Sequence, residues 1–150
     1  MSTAAEMKIS AIAPWFGGKR TLAPEIVRQL GWHSYYFEGC AGSMAVLFAK
    51  EPREHEIVCD LHGALTNLAL VVQDESKASQ LFNRLQATLY SDEIYKRSKD
   101  YLERMDEFAE NEPGNALRWA YHYFIVSWMG RNGVAGTARV NYQIATRWTK

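Results

Sequence analysis

Two short apolar stretches, each closing on an acid, set the frame for this chain. "SYYFE" ends at Glu38 and "EIVCD" at Asp60, 22 positions later, and the intervening "AGSMAVLFAK" has the composition of a helix. A strand, helix, strand succession of this length is a βαβ unit, which places the two strands side by side and parallel. Such units hold ligands at the carboxyl ends of their strands, where glycine lets the backbone come close. Glu38 leads into "GCAGSMA" at that end. An acid therefore stands where a phosphate-binding loop needs uncharged backbone donors. Asp60 falls at the spacing at which dinucleotide folds carry the acid that binds ribose hydroxyls. The competing role for Asp60 is N-cap of the helix beginning near residue 62.

The glycine pattern narrows the ligand. No GxxxxGK(S/T) frame is present, and Gly17-Gly18-Lys19 precedes a helix without the required serine or threonine. Gly39-Cys40-Ala41-Gly42-Ser43-Met44 is not GxGxxG either, and Glu38 repels a pyrophosphate. A cationic ligand favours the acid. S-adenosylmethionine carries an ammonium, a sulfonium and a ribose, so it suits Glu38 and Asp60 together.

Around this unit the chain reads as mostly helical. "WFGGKRTLAPEIVRQLG" is a Gly-Gly turn and then a helix, with Pro24 in its first turn, Ile26, Val27 and Leu30 on one stripe and Gly31 as stop. "LHGALTNLALVVQ" (61–73) is helical. Leu81, Leu85 and Leu89, then Ile94, Tyr101, Leu102, Met105 and Phe108, recur at helical spacing among charges of both signs. "ENEPG" breaks the pattern, and "NALRWAYHYFIVSWM" (115–129) is an aromatic helix whose Trp119, Tyr123 and Trp128 read as core. "GRNGVAGTARVNYQ" follows as a loop or hairpin. Two strands alone do not make a stable open sheet, so the parallel sheet is incomplete.

Bulk properties exclude several classes. An apolar content of 47% and a charged content of 23% belong to a folded domain. No apolar stretch is long enough for secretion or membrane spanning. Cys40 and Cys59 lack metal-ligand spacing, which argues against zinc, and both are expected to be reduced, buried small side chains in a cytoplasmic protein. Net charge is zero, yet residues 113–150 hold Arg118, Arg131, Arg139, Arg147 and Lys150 and no acid, a surplus that suits nucleic acid or a solvated basic face.

Taken together these segments resemble the Dam-like, D12-class DNA adenine-N6 methyltransferases. "PWFGGKRTLAPEIVRQL" is similar to their N-terminal aromatic-x-Gly-Gly-Lys motif. "YYFEGCAGSMAVLFAK" resembles their cofactor loop, most of all the phage-type branch that reads Gly-Ser-Met-Ala-Val. "EIVCDLHGALTNLALVVQ" resembles the second strand with its ribose-binding acid, and "HYFIVSWMGRNGVAGT" the aromatic helix and Asn-Gly loop. The sequence departs from many members at Gly39-Cys40, where they have Pro-Phe, and at Met44, where they have glycine.

The resemblance implies an α/β, Rossmann-like S-adenosylmethionine-dependent fold with an inserted helical block. Residues 9–73 would form the cofactor-binding part, 74–129 the helical block and 130–150 a basic glycine-rich loop. Trp15, Phe16, Gly17, Gly18 and Lys19 would line the cofactor pocket, with Lys19 near the methionine carboxylate or an acid. Glu38, Gly39, Cys40, Ala41, Gly42 and Ser43 would hold the methionine end, and Asp60 the ribose. Arg131 and Asn132 would face double-stranded DNA with a flipped adenine, in a bacterial host or a phage, with or without a restriction partner.

One family element is missing. The Asp/Asn/Ser-Pro-Pro-aromatic motif orients the adenine amino group and stacks on the flipped base. The four prolines here, Pro14, Pro24, Pro52 and Pro113, include no Pro-Pro pair, so no catalytic residue is assigned. The expectation is an N-terminal portion of such an enzyme, inactive alone. Two other readings remain open: a naturally short module that binds DNA or a partner without catalysis, and a fragment of a nicotinamide-dependent oxidoreductase.

Overall fold

The structure, a computed structural model, describes residues 9–105 and 115–130. Its elements in order are α1 (Ala23–Leu30), β1 (Tyr35–Glu38), α2 (Ala45–Ala49), β2 (His55–Val58), α3 (Gly63–Gln73), α4 (Glu75–Gln86), α5 (Asp92–Met105) and α6 (Asn115–Met129). Among the described residues the sheet is two-stranded and parallel, with Tyr35 opposite His55 and Glu38 opposite Val58. That is the expected βαβ pairing.

Alternation along β1 decides which face is covered. Tyr36 and Glu38 are buried while Tyr35 and Phe37 are exposed, as the two-residue period of a strand requires. The inward face packs under α1 and α2 in a small core of Ala23, Tyr36, Ala45 and Val46, closed by Ile26, Val27, Leu47 and Val58. Pro24 sits in the first turn of α1, where its missing N–H costs nothing, and Gly31 stops the helix at φ 59°.

A second, larger core joins the remaining helices. Leu65, Leu68 and Val71 of α3 meet Ala120, Tyr123, Ile125 and Val126 of α6, with Leu81 of α4 and Tyr95 of α5 on its flanks. Polar ties fix the register. Asn67 donates to the Ala116 carbonyl at 2.9 Å, and the Tyr101 hydroxyl donates to Asn115 at 2.7 Å. Asp74 caps α4 by accepting from Lys77 N–H.

Several expectations change in detail. The helix read from 41 to 50 begins only at Ala45, because Gly42 (φ 51°) and Met44 (φ 58°) both take left-handed backbone and prolong the turn. Trp128, read as core, is 47% exposed and stacks on Phe124, since it falls on the outer face of α6. Trp119 is half-buried against Gly63, and Tyr123 is fully buried. The breaker at 110–114 and all of the glycine-rich segment after Gly130 lie outside the described residues. No helix among the described residues is long and apolar enough to cross a membrane.

The helical core makes its own demand on pH. His122 lies on Tyr101 at 4.2 Å and its Nδ1 pairs with the Ser98 hydroxyl at 3.0 Å. Burial first, then the charges of Arg84 and Arg118, lower its pKa from 6.5 to about 4. A depressed folded-state pKa gives stability that is complete above 6.5 and is lost as pH falls toward 4. Urea unfolding should therefore show a loss on the order of 2–3 kcal/mol across that window. His122→Gln should flatten that part of the profile; an unchanged slope would remove His122 as its source.

Candidate functional site

The carboxyl ends of β1 and β2 open side by side, and the turns that follow them are joined by one carboxylate. Asp60 Oδ2 accepts from Gly42 N–H at 2.8 Å and Oδ1 from His62 N–H at 2.9 Å. Burial pushes the Asp60 carboxyl up, but these two backbone donors outweigh it and hold the carboxyl below its usual value. Asp60 is not the N-cap of α3. His62 takes that role, with Nδ1 accepting from Leu65 N–H at 3.2 Å, while Asp60 closes a short loop onto His62. Little in the residue pattern signals this, since histidine is not among the preferred caps.

On the other strand, Glu38 is 8% exposed and held at both carboxylate oxygens. Lys19 Nζ donates to its Oε1 at 3.2 Å and to the Cys40 carbonyl at 2.6 Å. The Tyr36 hydroxyl donates to Oε2 at 2.7 Å. The Gly17-Gly18 turn makes the lysine contact possible by turning the chain back beneath the strand end. Gly17 has φ 71°, and a side chain at Gly18 would meet the Trp15 carbonyl at 3.0 Å and Ser43 Oγ at 3.3 Å.

Trp15 is the wedge that seats the two glycine turns against each other. A Cβ on Gly42 would come within 2.9 Å of the indole nitrogen, so only glycine admits the ring. The other side of the indole meets His62 edge-on at 5.3 Å, and His62 in turn lies 5.4 Å from Tyr123 of α6. The site is thereby fixed to the larger, helical core.

The structure thus brings together Trp15, Gly18, Lys19, Glu38, Cys40, Gly42, Ser43 and Asp60, with Gly39 and Ala41 in the connecting turn. Phe16, next to Trp15 in the chain, is 79% exposed. Ser43 is buried, yet its hydroxyl has no hydrogen-bond partner among the described residues. The cysteines correct an expectation. Both Cys40 and Cys59 are free and exposed, because they occupy strand-end turns that open to solvent rather than a core. Leu61, next to Asp60, is fully exposed, and Tyr36 and His62 join the site without having been singled out.

A cavity of about 460 Å³ lies between α2, β2 and α3, lined mainly by Met44, Leu47, Val58 and Leu70. It meets the site at Asp60; neither Glu38 nor Lys19 lines it. No group of three or more potential metal ligands occurs among the described residues. Arg131 and Asn132 lie outside the described residues.

Residues 15–150 match the sequence profile of the D12 class N6 adenine-specific DNA methyltransferases. A comparison with curated proteins gives no match.

The seating of Trp15 can be measured. Gly17→Ala adds only left-handed strain, about 1–2 kcal/mol, because nothing lies within 4 Å of the new methyl. Gly42→Ala adds the same strain and also displaces the indole, so urea unfolding should show a loss of about 2–4 kcal/mol. Equal losses in the two variants would mean that the indole is not held on Gly42.

Proposed function

Since the chain belongs to the D12 class N6 adenine-specific DNA methyltransferase family, we propose that its two strand ends bind S-adenosylmethionine. The observation that carries this reading is the pairing of acids at the strand ends. Glu38 is buried at the mouth of a glycine turn, and Asp60 is hydrogen-bonded across to that same turn. Glu38 would receive the ammonium of the methionine end, and Lys19 its carboxylate. Asp60 keeps unused lone pairs on both oxygens for ribose hydroxyls, because each oxygen accepts one backbone N–H.

Other features fit the same ligand. The unpartnered Ser43 hydroxyl lies within the turn. Gly42 admits the indole of Trp15, which would close the pocket on that side. Exposed Leu61 offers an apolar surface beside the ribose position. When bound, the cofactor supplies an activated methyl group. The protein's part at these residues is to hold and orient it. Phe16, Gly17, Cys40 and Ala41 complete the proposed lining.

At the level of fold, the proposal is a Rossmann-like methyltransferase sheet beginning with β1 and β2, with residues 74–129 as an inserted helical block. Residues 130–150, led by Arg131 and Asn132, would approach DNA bearing a flipped adenine. The residues at hand include no Pro-Pro-aromatic motif to orient the adenine amino group. The chain of residues 1–150 is therefore proposed to bind the cofactor without completing transfer.

Calorimetric titration separates this reading from the oxidoreductase one. S-adenosylmethionine should bind and NAD should not compete; binding of NAD with displacement of S-adenosylmethionine would reverse the assignment. On DNA, Arg131→Ala should weaken binding and lower the slope of log affinity against log salt by about one. Purified residues 1–150 should transfer no labelled methyl group. An unchanged salt slope would exclude the phosphate contact, and labelled DNA would refute the inactivity.

A further inference from the structure

We infer that Tyr36 is a positioning residue for the cationic amino-acid end of the cofactor, an inference that rests on the site proposed above. Tyr36 precedes Glu38 by two residues on β1, so both side chains leave the same, inward face. Its hydroxyl donates to Glu38 Oε2 at 2.7 Å, while Lys19 holds Oε1 from the solvent side at 3.2 Å. Both Tyr36 and Glu38 are buried. A carboxylate offers about four lone-pair sites. Tyr36 and Lys19 take one on each oxygen, fixing the plane of the group and leaving the others for a ligand ammonium.

The ring is itself held. Lys50 Nζ lies 4.5 Å from the Tyr36 centroid, and Lys50 is paired with Glu56, the residue opposite Tyr36 across the strands. An unbroken line of groups therefore runs from Glu56 through Lys50, Tyr36 and Glu38 to Lys19 at the mouth. Burial and the nearby Glu38 carboxylate push the Tyr36 phenol well above its ordinary value, so it stays a donor at neutral pH. Phenylalanine at 36 keeps the ring and its cation contact and removes only the hydroxyl.

The test titrates the chain and Tyr36→Phe with two ligands, S-adenosylmethionine and 5′-methylthioadenosine, which shares the nucleoside but lacks the amino-acid end. The variant should lose about 5- to 20-fold in affinity for the first, the loss of one hydrogen bond to a charged group, and less than about 2-fold for the second. Glu38→Asp keeps the charge but withdraws it by one methylene from Tyr36, and should show the same selective loss. Equal losses on both ligands would make Tyr36 merely structural, and full affinity for S-adenosylmethionine in either variant would overturn the inference. Failure of the unsubstituted chain to bind S-adenosylmethionine would bring down the cofactor site itself and this inference with it.

Discussion

The Asp60 carboxylate is the joint on which the rest of the molecule turns. Its two oxygens take the amides of Gly42 and His62, one from the turn after β1 and one from the turn after β2. Hydrogen bonds from backbone N–H to a carboxylate contribute about 1.5–3 kcal/mol each. Through Gly42 the carboxylate positions the turn on which Trp15 rests, and through His62 it positions the cap of α3. Because α3 carries Leu65, Leu68 and Val71 into the helical core, one side chain couples the small core under the sheet to the larger one between the helices.

The line of charged groups beneath α1 and α2 calls for a different explanation. Lys50 is almost wholly buried against Glu56 and Tyr36, in a place where apolar side chains of similar volume would serve packing as well. Desolvation offsets much of what a buried ion pair gains, so stability is a weak reason for it. Positioning is a better one. The proposed site calls for a fixed Glu38 carboxylate at the mouth of the turn, and Tyr36 can hold that carboxylate in place only if its own ring is held from behind.

The parts of this structure written in short-range patterns were legible in the sequence. Both strands, the Pro24 start and Gly31 stop of α1, and the span of α6 follow from period and punctuation. The placement of Glu38 and Asp60 at adjoining strand ends was legible from the two acids that close the apolar runs, whereas the placement of Lys19 near an acid came from the resemblance of its Gly-Gly-Lys turn. What was missed depends on context. Nothing in "GSMAV" says that Met44 takes φ 58°, since methionine avoids that region and only the packed turn holds it there. The thiols were misjudged because residue type predicts burial on average, whereas Cys40 and Cys59 are placed by strand ends that open outward. Tyr36 did leave a trace: an aromatic hydroxyl two residues before a buried acid in a strand shares its face.

For the site proposed above, the same geometry favours a cation although glycine turns commonly bind phosphate. A phosphate loop presents free amides at the start of a helix, where the aligned dipoles add positive potential. Here the amides of Ala41, Gly42 and Met44 are already taken, by the Cys59 carbonyl, the Asp60 carboxylate and the Ala41 carbonyl. The helix that follows is only five residues long and is entered through left-handed Met44, so little dipole is aimed at the ligand. With these three donors spent internally, the turn offers an approaching molecule chiefly the acceptors that remain on Glu38 and Asp60. Lys19, paired with the first of these, offsets one of the two negative charges and supplies a point for an anionic group beside the cationic one. A zwitterionic amino-acid end joined to a ribose satisfies that arrangement; a pyrophosphate leaves two carboxylates facing its own charge.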